Sequence, residues 1–237
     1  MLDFSRFECL TFDCYGTIVD WETGILAALR PILSAHRRNL TDAGILELYG
    51  ALESQEEQGE YKTYREVLRS VTEKFAARLA CSLDASELDA LPRSLPDWPP
   101  YADSVPALRQ LKSRYQLAII SNTDDDLFAG TARHLAVAFD HVITAQQARA
   151  YKPSPKIFEL ALKTERIGLP RDRILHIGQS VWHDVIPAKS LGLATVWVNR
   201  RPGTTLFGSR PAPSQAPDLE VKDLKTLAAM AVGEQAA

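Results

Sequence analysis

Cysteine is scarce in this chain of 237 residues, and its three copies, Cys9, Cys14 and Cys81, show no metal-ligand spacing and cannot build a disulfide framework. They read as buried thiols in a reducing compartment. Basic residues are not in excess: 27 Lys and Arg against 30 Asp and Glu leave a net charge of −3, with no basic stripe, which argues against nucleic acid as a partner. No apolar run reaches the roughly 18 residues of a membrane span. The first eight residues carry Asp3 and Glu8 and no long apolar segment, unlike a secretory leader. Internal repeats are also absent. These absences lead us to expect a soluble, cytoplasmic protein that meets neither membrane nor nucleic acid.

What remains is a chain 46% hydrophobic, enough for a real core. Five short apolar runs bounded by turn signals predict buried parallel strands: "CLTFD" (9–13), "LAIISN" (117–122), "HVITA" (141–145), "ILHIG" (174–178) and "ATVWVN" (194–199). Helical patterns over 104–114, 125–135, 154–168 and 184–192 separate the later ones, which predicts βαβ units around a parallel sheet. Between the first two strands the alternation stops. Residues 24–37, 42–57, 64–80 and 85–95 carry only helical patterns, so the expected architecture is an α/β core with a helical cap inserted after strand one. The core is expected to take 1–19 and 97–237, and the cap 20–96. "PRSLPDWPPYADSVP", with five prolines, marks the return to the core. The stretch 201–217 reads as loop, and 218–230 as a last short strand and helix.

In open α/β sheets, ligands sit at the carboxyl ends of the strands. This chain brings Asp13 to the end of strand one, Ser121 and Asn122 to the end of strand two, and Lys152 to the loop after strand three. Gln179, Ser180 and Asp184 follow strand four. Each alone could be a turn former, an exposed loop residue or a helix cap; Asp184 in particular could cap the helix that follows it. Carboxylate, hydroxyl, amide and ammonium converging from four distant segments point instead to one active site.

The stretches "DCYGT", "ISNTD", "YKPSPKIFELAL" and "IGQSVWHDVIPAKSLGL" resemble, in order and spacing, the four motifs of the haloacid dehalogenase superfamily. The resemblance spans nearly the whole chain and implies a Rossmann-like core under a helical cap. It implies that Asp13 is a nucleophile forming an ester with substrate. Gly16 would permit the sharp turn, and the Thr17 hydroxyl would orient the carboxylate. Lys152 would pair with Asp13, and Asp184 would fix Lys152 or activate water. Tyr15, Ser121, Asn122, Gln179 and Ser180 would face a small anionic substrate, with Ser180 positioning water.

Superfamily phosphatases place a second Asp two residues after the nucleophile and a Mg²⁺-binding Asp in the fourth motif. Here those positions hold Tyr15 and Gln179, a poor proton donor and a neutral, weak ligand for a hard dication. The D-x-Y-G-T form resembles the L-2-haloacid dehalogenase branch, which needs no metal because halide leaves without a proton. We therefore expect a hydrolase displacing halide from a small 2-haloalkanoic acid, without cofactor, to give the 2-hydroxy acid; a homodimer is the default. Two alternatives stay open: a Mg²⁺-dependent phosphatase of a small metabolite, and a ligand-binding or non-hydrolytic homologue. The last is motivated by Gln179 and by residues 46–58, which lack the halide-cradling Arg of that branch. Arg30, Arg37, Arg38, Arg65 and Arg69 are the candidates to replace it. Trp21, Tyr49, Tyr61 and Tyr64 are candidates for the cap wall of the pocket. Trp182 is read as pocket-floor packing and His183 as a surface or supporting residue.

Overall fold

The computed structural model describes residues 2–201 and 216–233. A six-stranded, wholly parallel sheet in the order β3-β2-β1-β4-β5-β6 forms its centre. The strands are β1 (Cys9–Phe12), β2 (Gln116–Ser121), β3 (His141–Thr144), β4 (Ile174–Gly178), β5 (Ala194–Val198) and β6 (Leu219–Val221). β1, β4 and β5 are buried along their whole length, as continuous Val/Ile/Leu-rich runs require when helices cover both faces. The chain builds outward from β1 to β2 and β3, then returns to β1's other side for β4. The carboxyl ends of β1, β2 and β4 therefore meet where the strand order reverses, which is where such sheets bind ligands.

Between β1 and β2 lie α1 (Trp21–Ala35), α2 (Asp42–Glu56), α3 (Tyr64–Arg78), α4 (Ala85–Leu88) and α5 (Ala90–Ser94). Their starts are written locally. Thr41 accepts the Gly44 amide, and Thr63 with Glu66, like Asp84 with Glu87, closes a reciprocal capping box. After the linker come α6 (Ser104–Lys112), α7 (Asp125–Leu135), α8 (Ala145–Ala148), α9 (Lys156–Ala161), α10 (Ile186–Ser190) and α11 (Leu224–Val232).

The helical insertion is tied to the core at several places, two of which fix its helices. On one side, Gly24 of α1 lies so close to Trp98 that an added Cβ would sit 2.2 Å from the indole. On the other, Asp124, in the turn after β2, accepts the first amides of α3, Tyr64 N–H and Arg65 N–H, both at 2.9 Å. Those amides lack helical partners, and a carboxylate is the natural acceptor for them.

The predicted strands agree with the observed ones to within a residue at each end. The helix expected over 154–168 is shorter: it starts at Lys156 after Pro155 and leaves helical register at Ala161, where Ile167 N–H closes onto the Ala161 carbonyl. The helix expected from Asp184 opens instead as a wide π-helical turn, Val181–Val185, that runs into α10. Of the predicted loop over 201–217, residues 202–215 lie outside the described residues. The last strand and helix are β6 and α11.

Candidate active site

β1 ends at Phe12, and the Asp13 amide still joins the sheet through the Ile177 carbonyl at 2.9 Å. The chain then turns at Gly16, whose φ of +96° is a conformation side-chain-bearing residues avoid. The turn folds Thr17 back on Asp13. Its hydroxyl donates to Asp13 Oδ2 at 2.7 Å and accepts the Gln179 amide at 2.8 Å. Arg200 braces the turn from outside by donating to the Thr17 carbonyl while paired with Asp103.

Lys152 is 2% exposed and its ammonium has three acceptors: Asp13 Oδ1 at 2.8 Å, Asp184 Oδ1 at 2.6 Å and the Ile120 carbonyl at 3.0 Å. Burial alone would depress this ammonium; the Asp13 and Asp184 carboxylates reverse that and hold it above its ordinary pKa. Burial raises the Asp13 carboxyl; the Lys152 charge opposes this, and the Asp184 charge reinforces it. Burial would raise Asp184 too, but Lys152 and His176 hold it well below the carboxylate range. Asp184 is fixed from every side: His176 Nε2 lies 3.4 Å from Oδ1, and the Ser180 amide donates to Oδ2 at 3.1 Å. Thr11 holds the other nitrogen of His176 at 2.9 Å. Only glycine at 178 permits this closeness, since a Cβ there would lie 2.4 Å from Asp184 Cβ and Cγ. Asp184 therefore sits within the π-turn, and Ser180 is the cap, accepting His183 N–H.

A cavity of about 380 Å³ opens over these groups, lined by Asp13, Tyr15, Ser121, Asn122, Lys152, Gln179, Ser180 and Asp184. Thr17 stands behind Asp13. The Tyr15 hydroxyl meets Thr131 at 2.9 Å, and its ring packs edge-on against Trp98. Ser121 is fully buried, and its hydroxyl has no hydrogen-bond partner among the described residues. Asn122 is differently employed. Its amide oxygen accepts Lys152 N–H at 2.7 Å and its amide nitrogen donates to the Lys152 carbonyl at 3.2 Å, so it fixes the lysine's backbone.

The cap wall holds Trp21, Tyr49 and Tyr64 as expected, but not Tyr61, which stacks on Tyr151 outside the cavity. None of the five candidate arginines lines the cavity. Arg30, Arg65 and Arg69 pair with Asp42, Asp126 and Asp89, and Arg38 donates to the Ala80 carbonyl. Trp182 is not floor packing: it is 60% exposed at the cavity's edge. His183 faces the cavity rather than the surface, with Nδ1 3.2 Å from Ser180 Oγ, and burial lowers its pKa so that it is neutral near pH 7.

Sequence reading missed two acids. Glu53 and Glu57, one turn apart on the cavity side of α2's end, occupy the wall where a cation was sought. Glu53 accepts from the Tyr49 hydroxyl at 2.8 Å and from Tyr64. Glu57 lies 3.4 Å from the Asn122 amide nitrogen. The signal was present: Tyr49, Glu53 and Glu57 are spaced i, i+4, i+8 and so share one helix face. His176, hidden in an apolar strand, carried no such signal.

A buried carboxylate held by an ammonium and a hydroxyl faces a cavity under inserted helices, an arrangement suited to hydrolase chemistry. The chain belongs to the haloacid dehalogenase-like hydrolase family, whose sequence profile matches residues 7–192. It is 29% identical over 222 residues to an (S)-2-haloacid dehalogenase of Pseudomonas putida, covering 92% of this chain and 94% of that one. Its fold matches a defluorinating L-2-haloacid dehalogenase with a TM-score of 0.79 at 24% identity, over 94% of both chains. It also matches the L-2-haloacid dehalogenase of Xanthobacter autotrophicus with chloropropionic acid covalently bound, with a TM-score of 0.80 at 21% identity, over 97% of this chain and all of that one. Among the described residues no helix is long and apolar enough to cross a membrane, and no three His, Cys, Asp or Glu side chains are grouped to hold a metal.

Proposed function

We propose that this hydrolase displaces halide from a small 2-haloalkanoic acid through an ester on Asp13. The observation that carries the reading is the pairing of a clamped, cavity-facing Asp13 with Tyr15 at the position where phosphoryl chemistry would need a proton donor. An Asp13 oxygen attacks the halogen-bearing carbon from the side opposite the halide. The C–O bond forms as the C–halogen bond breaks, and the halide departs with the bonding electrons and no proton. Lys152 keeps the nucleophile ionised and compensates the change in its charge as the ester forms. Water then attacks the ester carbonyl, which frees Asp13 and the 2-hydroxy acid and releases one proton.

Asp184, engaged on both oxygens and strongly acidic, serves to hold Lys152. The neutral His183 imidazole is the base in reach of the cavity for that water, with Ser180 fixing its orientation. The donor set supports a reaction without metal. Gln179 offers only an amide, and Asp184 is already claimed by Lys152, His176 and the Ser180 amide. Halide release from (S)-2-chloropropionate with excess EDTA, for wild type and Asp13→Asn, tests the reading. Wild type releases halide regardless of EDTA and the variant does not. No release by wild type, with Mg²⁺-dependent turnover of an aryl phosphate, would instead place the site with the phosphatases.

The helical residues 20–96 act in this reading as a cap on a core of 1–19 and 97–237. The unpaired, buried thiols Cys9 and Cys14, whose pKa values burial raises, suit a reducing cytoplasm. A homodimer remains the proposed assembly.

A further inference from the structure

A 2-haloalkanoate is an anion, yet this cavity has little to receive one. Among the described residues that line it, Lys152 is the one lysine or arginine, and it already neutralises one of two carboxylates, Asp13 and Asp184. Two further carboxyl groups, Glu53 and Glu57, face the same space, and no lysine or arginine pairs with either among the described residues. Were all four ionised, the cavity would carry three uncompensated negative charges around an anionic substrate. In a half-buried site that is strongly unfavourable.

The hydrogen bonds separate the two cap acids. Burial raises the Glu53 carboxyl, but Glu53 accepts from two tyrosine hydroxyls, which oppose this by stabilising its anion. Glu57 has only long contacts with one amide nitrogen. Opposite, the buried Ser121 hydroxyl has no partner and lines the same cavity. We propose that Glu57 is a carboxylic acid in the resting enzyme and donates one hydrogen bond to the substrate's carboxylate, with the Ser121 hydroxyl donating another. The protonated acid stands where a cation is missing, and it makes binding sensitive to pH. Burial and the neighbouring Glu53 charge both raise the Glu57 pKa well above its ordinary value, with Lys152 and the Asn122 amide opposing. Asp13, Tyr15, Asp184 and His183 are the other titratable groups facing the cavity from the core, and Tyr49 and Tyr64 face it from the cap.

The inference rests on the reading that the substrate is a carboxylate, and its test is kept apart from turnover. Calorimetric binding of propionate, which has no halide to lose, is measured on the intact wild type, Glu57→Gln and Glu57→Ala across about pH 5 to 9. Wild-type Kd should rise about tenfold per pH unit once Glu57 ionises. Glu57→Gln, whose amide donates without titrating, should bind at the wild-type low-pH affinity throughout. Glu57→Ala should bind weakly at every pH. A wild-type Kd that ignores pH, or a slope that survives in Glu57→Gln and so belongs to Asp13 or His183, overturns the proposal. So does a wild type that binds no propionate at any pH. Propionate binding as expected, with no halide released from chloropropionate, would leave the Glu57 assignment standing and sink only the displacement chemistry.

Discussion

Lys152→Met removes the one charge that reconciles Asp13 with Asp184 while keeping a flexible chain of similar length. The ammonium sits 2.8 Å from one carboxylate and 2.6 Å from the other, all three groups being buried. Removing one partner of a buried ion pair costs about 3–5 kcal/mol, a large share of a typical total of about 5–15 kcal/mol. In urea this would move the unfolding midpoint down by about 1–2 M.

The pH dependence is more diagnostic than the size. In wild type the Asp184 pKa is depressed, so its stabilising contribution is present above the unfolded value of about 3.9 and is lost as pH falls through the folded value. Without the ammonium, burial and mutual repulsion push both folded carboxyls up, with the His176 contact and the Thr17 hydroxyl opposing. The folded variant then binds more protons than the unfolded chain, and its stability falls as pH rises through the raised range. Asp13 is already raised in wild type, and losing the Lys152 attraction raises it further, in the same sense. The deficit of variant against wild type should therefore be larger at about pH 8 than at about pH 5. Urea unfolding at the two pH values reads it directly. A deficit equal at both, smaller at the higher pH, or below about 1 kcal/mol would refute the assignment of Lys152 as counter-ion to two ionised carboxylates.

Two further substitutions address the frame of the site. Thr17→Val leaves the Gln179 amide without its acceptor and Asp13 Oδ2 without its donor, so thermal or urea unfolding should show a loss of about 1–3 kcal/mol, with halide release falling as well; unchanged stability and kcat would mean that the hydroxyl holds neither group. Gly24→Ala drives a methyl to within 2.2 Å of the Trp98 indole, a clash expected to cost about 1–3 kcal/mol and, because Trp98 lines the cavity, to raise KM more than it lowers kcat; a variant with wild-type KM would show that the contact is relieved without moving the wall.

How far the sequence is legible depends on how local the cause is. β4, "ILHIG", is read to the residue because its burial is continuous and its ends are turns. The segments of the candidate site are legible because each sits at or just after a strand end, and sheet topology converges strand ends whatever lies between. Asp184 is placed by a π-turn and a glycine, and neither gives a periodic signal. The role of Asn122 depends on a backbone 30 residues away. The Glu53–Glu57 wall depends on the rotation of a cap helix over the sheet, a tertiary fact. The candidate arginines are a tertiary matter too: Arg30, Arg65 and Arg69 are held by Asp42, Asp126 and Asp89, and Arg38 by the Ala80 carbonyl, all away from the cavity.

The turn after β2 concentrates three duties in four consecutive residues. Ser121 offers the cavity its free hydroxyl, Asn122 grips the backbone of Lys152, and Asp124 takes the leading amides of α3. Nucleophile partner and cap are thus fastened to one short piece of chain, and any displacement of it is passed to both. For the engineer this divides the molecule into unequal parts. The inner face of α2's end can be rewritten to change which acid is accepted, since its polar contacts with the core, among the described residues, are only the long ones between Glu57 and the Asn122 amide nitrogen. Residues 121–124 offer no such freedom, because an exchange there alters grip, counter-ion and roof together.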